Sequence, residues 1–171
     1  EYVTKNPADM EAAKMYLESL YRSRQYKEVP TIADKILKTE PTFAAANRFK
    51  AHSYFELKEY QKSVDLYAAI ASDSLLEAGD FRRVGRAYLE LKKDSLAVAA
   101  YERSVQLDTT QSDVLNEAGV LYMRMKKWDD AARMFERRWH VDTSAVGAYI
   151  NYAQCMIVLE KFDQAAAALV Q

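Results

Sequence analysis

The chain has 171 residues, 50% of them hydrophobic and 29% charged, with only four Gly and three Pro. This composition excludes a disordered or collagen-like chain, and so few turn residues argue against an all-β fold. The 24 basic and 25 acidic residues leave a net charge of −1, which gives no global pull toward nucleic acid or an anionic membrane. The single cysteine, Cys155, cannot make an internal disulfide. The longest apolar runs, such as 165–170, are far shorter than the roughly 20 residues that span a bilayer, so no direct membrane insertion is expected. The N-terminal EYVTKNP has neither the basic nor the apolar region of a signal peptide. Cytoplasm is the default compartment, with the periplasm left open.

Taken in chain order, the apolar pattern repeats every 34 residues. The first copy has Leu20, then Tyr26, Val29 and Ala33 at offsets of six, nine and thirteen. Pro30 falls in the first turn of its second predicted helix, where the missing N–H costs little, and Pro41 stops that helix. The second copy repeats the spacing with Tyr54, Tyr60, Ser63 and Tyr67. In the third, Phe81, Val84, Gly85 and Tyr88 form one helical stripe, and Leu96, Ala97, Ala100, Tyr101 and Val105 form another. The fourth carries Leu115, Ala118, Gly119, Tyr122, Trp128, Ala131 and Phe135, and the fifth Met156, Phe162, Ala165 and Leu169. The segments YFELKEY (54–60), YLELKKD (88–94) and YMRMKKW (122–128) make the self-similarity visible. Each copy is predicted to be two helices of about 13 residues, about 20 Å long at 1.5 Å per residue. The polar breaks between them are only a few residues long, so the paired helices are antiparallel neighbours. Small residues at the eighth position (Ala51, Gly85, Gly119 and Ala153) let the two helices approach closely.

With those residues in place, the chain resembles the tetratricopeptide repeat (TPR) family. In that family large apolar residues recur at repeat positions 4, 7, 11, 17 and 24, with small ones at 8, 20 and 27. The resemblance implies an all-α fold, a right-handed α-solenoid of antiparallel helix hairpins forming a superhelix. A single array over 1–171 is expected: 1–9 as the tail of a preceding helix or repeat, repeats at 10–43, 44–77, 78–111 and 112–145, and an incomplete fifth at 146–171. Leu17 and Ala33 depart from the pattern in the first repeat, and Asn47 and Lys50 occupy normally apolar positions in the second. The family's proline near position 32 survives as Pro41 and gives way to Leu75, Thr109 and Thr143 later. Both ends fall within a second helix in this register, and 165–170 is apolar. A segment of a longer protein is therefore expected, with end-to-end self-association as the rival.

No catalytic motif is present: no H-E-x-x-H, C-x-x-C, G-x-S-x-G or Gly-rich phosphate loop, and His52 and His140 lie in different repeats. Cys155 reads as a small buried hydrophobe rather than a nucleophile. Asp129 and Asp130 begin a second helix, where acids favour the N-terminal dipole. The expectation is a chain with no cofactor and no catalysis of its own.

The family resemblance also implies where a partner binds, since first helices line the concave groove through positions 2, 5, 9, 12 and 13, with 6 reaching in. Here those positions supply Arg48, Phe49, His52 and Phe55, then Arg82, Arg83, Arg86 and Leu89. They continue with Asn116, Glu117, Val120 and Met123, then Ile150, Asn151, Gln154 and Ile157, while the first repeat adds Lys14, Met15, Glu18 and Tyr21. Two readings of the arginines compete. Either they pair with Asp113 and Glu117 of the next repeat, or Arg48, Arg82, Arg83 and Arg86 bind an acidic segment through charge-assisted hydrogen bonds. The carboxylate clamp of chaperone-binding members fails in every register tried; the first, for example, offers Lys14, Glu18, Phe49, Gly79 and Arg83. Arg138 stands at the usually small position 27 and is expected to snorkel, with a convex-face contact as the rival. Tyrosines such as Tyr54, Tyr88, Tyr122 and Tyr152 are expected in the packing between helices. The function expected is a scaffold binding a protein or peptide, not nucleic acid. The alternatives are a homo-oligomeric assembly module and a regulatory arm of an enzyme encoded outside the segment.

Overall fold

A computed structural model describes residues 10–70 and 76–170, so the expectations for 1–9, Leu75 and Gln171 lie outside the described residues. Among the described residues ten helices follow one another: α1 (Met10–Arg22), α2 (Glu28–Thr39), α3 (Ala44–Glu56), α4 (Tyr60–Ala69), α5 (Ala78–Glu90), α6 (Asp94–Leu107), α7 (Ser112–Arg124), α8 (Trp128–Val141), α9 (Val146–Val158) and α10 (Phe162–Leu169). The described residues contain no strand. The odd-numbered helices begin at 10, 44, 78, 112 and 146, matching the spacing of the apolar pattern.

Each turn from a first to a second helix has one residue in the left-handed region: Arg24, Lys58, Lys92, Lys126 and Glu160, with φ between 57° and 62°. The amide after it reaches back to the carbonyl five residues earlier, as in Gln25 N to Leu20 O (2.9 Å), Glu59 N to Tyr54 O (2.8 Å) and Lys127 N to Tyr122 O (2.9 Å). This closure ties off carbonyls that the helix end would otherwise leave unpaired. The turns after second helices use a different device. Asp108 accepts from the Thr110 amide and hydroxyl (2.9 and 2.6 Å), and Asp142 does the same with Ser144 (3.1 and 2.6 Å). Those hydrogen bonds hold both carboxyls below the ordinary carboxylate range. They make the sharp exit for which the family pattern uses proline.

The described residues divide into two compact units, one of 10–70, 76 and 86–92 and the other of 77–85 with 93–170. In the first, α2 packs against both α1 and α3, and α4 packs on α3. Its core is Ala13, Leu17, Leu20, Val29, Ala33, Ile36 and Ala46, and the oversized Leu17 and undersized Ala33 share it. Lys50, at a normally apolar position, is accommodated by an ion pair with Asp34 (2.6 Å) on α2. The buried Ser63 hydroxyl of α4 donates to the Ala51 carbonyl of α3 (2.9 Å).

In the second unit, α7 packs against α6 and α8, α8 against α9, and α9 against α10. Two glycines set the closest approaches. A Cβ on Gly85 would overlap the Tyr101 ring, and one on Gly119 would stand 2.7 Å from the Phe135 ring. Both rings are fully buried. Where α5 begins, the fully buried Asp80 accepts the Glu77 amide (2.8 Å), a hydrogen bond that starts the helix. Arg124 grips Asp94 with two hydrogen bonds (3.0 and 2.6 Å), linking α7 to the start of α6. The Tyr122 hydroxyl donates to Glu102 (2.7 Å), and burial followed by that bond pushes its pKa up.

Candidate functional site

The expected groove residues separate into two groups by unit. In the first unit, Arg48, Phe49 and Phe55 are half-buried on α3, and Arg86 is exposed on α5. His52 differs from expectation: it is 6% exposed, with its ring 5.4 Å from Tyr21, 5.7 Å from Phe49 and 5.9 Å from Tyr67. An imidazole enclosed by three rings lies in the core, so His52 leaves the set of surface residues. Tyr21, also expected on this face, donates its hydroxyl to Glu56 (2.9 Å), and Lys14 and Glu18 pair along α1 with Glu11 (3.6 Å) and Arg22 (2.6 Å).

In the second unit the arginines have partners. Arg82 pairs with Asp113 and lies 3.9 Å from Glu117, both on α7. Arg83 lies 3.8 Å from Asp80 and donates to the Gly79 carbonyl (3.3 Å). Of the two readings of the arginines, the geometry of Arg82 follows the pairing one. Asn116, Met123 and Asn151 are half-buried and Gln154 is exposed. Beside them Val120, Ile150 and Ile157 are 50%, 53% and 51% exposed. Asn116, Val120 and Met123 follow i, i+4, i+7 on α7, as Ile150, Gln154 and Ile157 do on α9, which puts each trio on one stripe.

Arg138, expected to snorkel with a convex-face contact as the rival, is half-buried and has a defined partner for its head group. Its Nη1 donates to Asn116 Oδ1 (2.8 Å) and lies 3.9 Å from where a Cβ of Gly147 would stand. Arg138 therefore reaches from α8 to the first-helix side, between α7 and the start of α9. The readable signal is a long residue at a small position facing a glycine in the next repeat. On another side of the unit, Trp139 stacks on Tyr149 (4.9 Å, 9°) and meets Tyr152 edge-on (4.7 Å). These rings line an open cleft with Gln164, Ala167 and Ala168.

The described residues hold no group of three or more His, Cys, Asp or Glu placed to bind a metal ion. None of their helices is long and apolar enough to cross a membrane. Cys155 is fully buried, and desolvation pushes its thiol up to about 11. Since the thiolate is the nucleophile, alkylation by iodoacetamide at pH 8 is expected to be negligible in native protein and rapid in denaturant. Equal native and denatured rates by mass spectrometry would refute that burial.

A family model described as the N-terminal TPR repeats region of Psidin matches residues 15–166. No curated protein sequence matches the chain. Among solved structures, it is similar to YrrB, a TPR protein with an unusual peptide-binding site, at 17% identity and TM-score 0.80, covering 98% of this chain and 86% of that one. It is also similar to MamA from Desulfovibrio magneticus RS-1, at 21% identity and TM-score 0.71, covering 85% and 82%. A third likeness is to the C-terminal part of a TPR protein from Cytophaga hutchinsonii, at 19% identity and TM-score 0.68, covering 92% and 62%. At these identities the structural likeness speaks to fold, and with the family match over most of the chain it leads to one conclusion: this chain is an all-α solenoid belonging to the tetratricopeptide repeat family.

Proposed function

We propose that this chain is a non-catalytic protein–protein interaction scaffold that receives a peptide or protein segment on the face formed by its first helices. The repeats would run 10–43, 44–77, 78–111 and 112–145, with a fifth from 146, and function would reside in the array rather than in any reactive group. The observation that carries this reading is the half-exposed apolar trio Val120, Ile150 and Ile157. The same helices bury Leu115, Tyr122 and Ala153 in the seams, so the trio is apolar surface that packing does not use. The peptide-binding site of YrrB supports the reading by analogy of fold.

Site-specific photo-crosslinking in cells tests it. Benzoylphenylalanine at Val120 or Gln154 is expected to give discrete adducts with other proteins, whereas at the exposed Ala99 or Glu136 of the second helices it is not. Adducts confined to the second-helix positions would overturn the groove. Adducts only between copies of this chain would favour self-assembly instead.

A further inference from the structure

We infer that the segment received by the first-helix face of the second unit is uncharged and apolar rather than acidic, held by Val120, Ile150 and Ile157 and by the amides of Asn116, Asn151 and Gln154. This rests on the groove reading above and specifies its partner.

The charges on this face already stand against one another. Arg82 is held by Asp113 with Glu117 beside it, and Arg83 has Asp80 at 3.8 Å. Arg138 donates to Asn116, and the Asp142 carboxyl, lowered first by Ser144, is lowered further by the charge of Arg138. Three arginines thus stand against the four carboxylates of Asp80, Asp113, Glu117 and Asp142. An acidic segment would meet a surface with no cationic surplus and would have to displace Asp113 from Arg82. A basic segment would have to pull the same carboxylates from their arginines. Either exchange gains little, because each new charge pair replaces an existing one and each incoming charge loses water.

What the face offers beyond those pairs is apolar area and neutral amides. The three aliphatic side chains are each about half exposed, while their helices bury other residues in the seams. Burial of such area against a partner's apolar side chains is favourable and is not weakened by charge screening. An extended peptide brings backbone N–H and C=O groups that must find partners once water leaves. Asn116, Asn151 and Gln154 carry both donors and acceptors and suit that need without selecting charge. The Arg138 bond engages Asn116 Oδ1, which holds one of these amides in a fixed orientation. Exposed apolar residues, interleaved amides and internally paired charges on one face describe a receptor for an uncharged, apolar extended segment.

Panning a random-peptide phage library against the whole protein tests this, with the recovered peptides remade in labelled form for titration. The expected peptides are rich in Val, Leu, Ile or Phe and carry no net charge. Their binding should change little with salt and fall about tenfold or more in Val120→Glu/Ile157→Glu, two exposed substitutions checked for folding by circular dichroism. Arg82→Gln should leave that binding nearly unchanged. Recovery of Asp/Glu-rich peptides that Arg82→Gln releases, or of Lys/Arg-rich ones, would overturn the inference while leaving a binding groove in place. Recovery of no peptide sensitive to the Val120 and Ile157 substitutions would overturn the groove reading itself.

Discussion

Replacing Phe135 with Ala is expected to destabilise the second unit by about 3–5 kcal/mol, the range for removing a large buried ring. Phe135 is fully buried, and its ring fills the space that Gly119 leaves on the facing helix. The cavity could not collapse readily, because the ring is clasped between two helices held by a short turn. At about 2–4 °C per kcal/mol for a chain of this size, the loss would show as a melting shift of roughly 6–20 °C. The same contact can be tested from the other side. Gly119→Ala gains up to about 1 kcal/mol of helix propensity, yet its Cβ would stand 2.7 Å from a ring that has nowhere to go. Overpacking of this kind costs about 1–3 kcal/mol, so a net loss is expected. Gly119→Ala combined with Phe135→Leu should cost less than the sum of the two, since both act on one volume. Gly147→Ala is the control, because its nearest neighbour, Arg138 Nη1, is at an ordinary 3.9 Å. Strict additivity in the Gly119 and Phe135 cycle, measured by denaturant titration, would disprove the contact.

Residues that act through size and period could be read from the chain itself. Gly119 at a small position and Phe135 at a large one foretell a close seam, and Arg82 lies one repeat from Asp113 and Glu117, the acids it meets. Residues whose role depends on direction could not. Position alone assigned His52 to the groove, yet three neighbouring rings enclose it, and a period of 34 does not report which way an imidazole turns. Arg138 was legible as an exception but not as a partner of Asn116, because its reach depends on Gly147 leaving room and Asn116 offering an oxygen. Asp108 and Asp142 replace a missing proline by side-chain hydrogen bonds, a substitution of mechanism that the apolar pattern does not record. The same limit applies to the helix–helix turns, whose positions follow from the period while their backbone geometry does not.

Converting the five left-handed turn residues to glycine is expected to raise stability by roughly 3 kcal/mol in total. Arg24, Lys58, Lys92, Lys126 and Glu160 all sit at φ between 57° and 62°, a region where a side chain costs about 1–2 kcal/mol. Glycine removes that cost but returns about 0.5–1 kcal/mol through its greater freedom in the unfolded chain, leaving a gain near 0.5 kcal/mol or more at each site. All five side chains are exposed, so truncation gives up little packing. The hydrogen bonds that close the turns, such as Lys127 N to Tyr122 O (2.9 Å) and Lys161 N to Met156 O (2.8 Å), involve backbone alone and survive the change. The gains should therefore add from turn to turn, since the substituted side chains share no partner. Lys126→Val sets the opposite sign, because a β-branched residue tolerates positive φ least of all. Thermal melts of the single and fivefold variants distinguish the outcomes: glycine variants melting no higher than the parent would mean that strain at these turns is already relieved. An increase that grows with each added glycine would mean that a chain with only four glycines, none of them at these turns, carries the same backbone closure at a cost repeated five times.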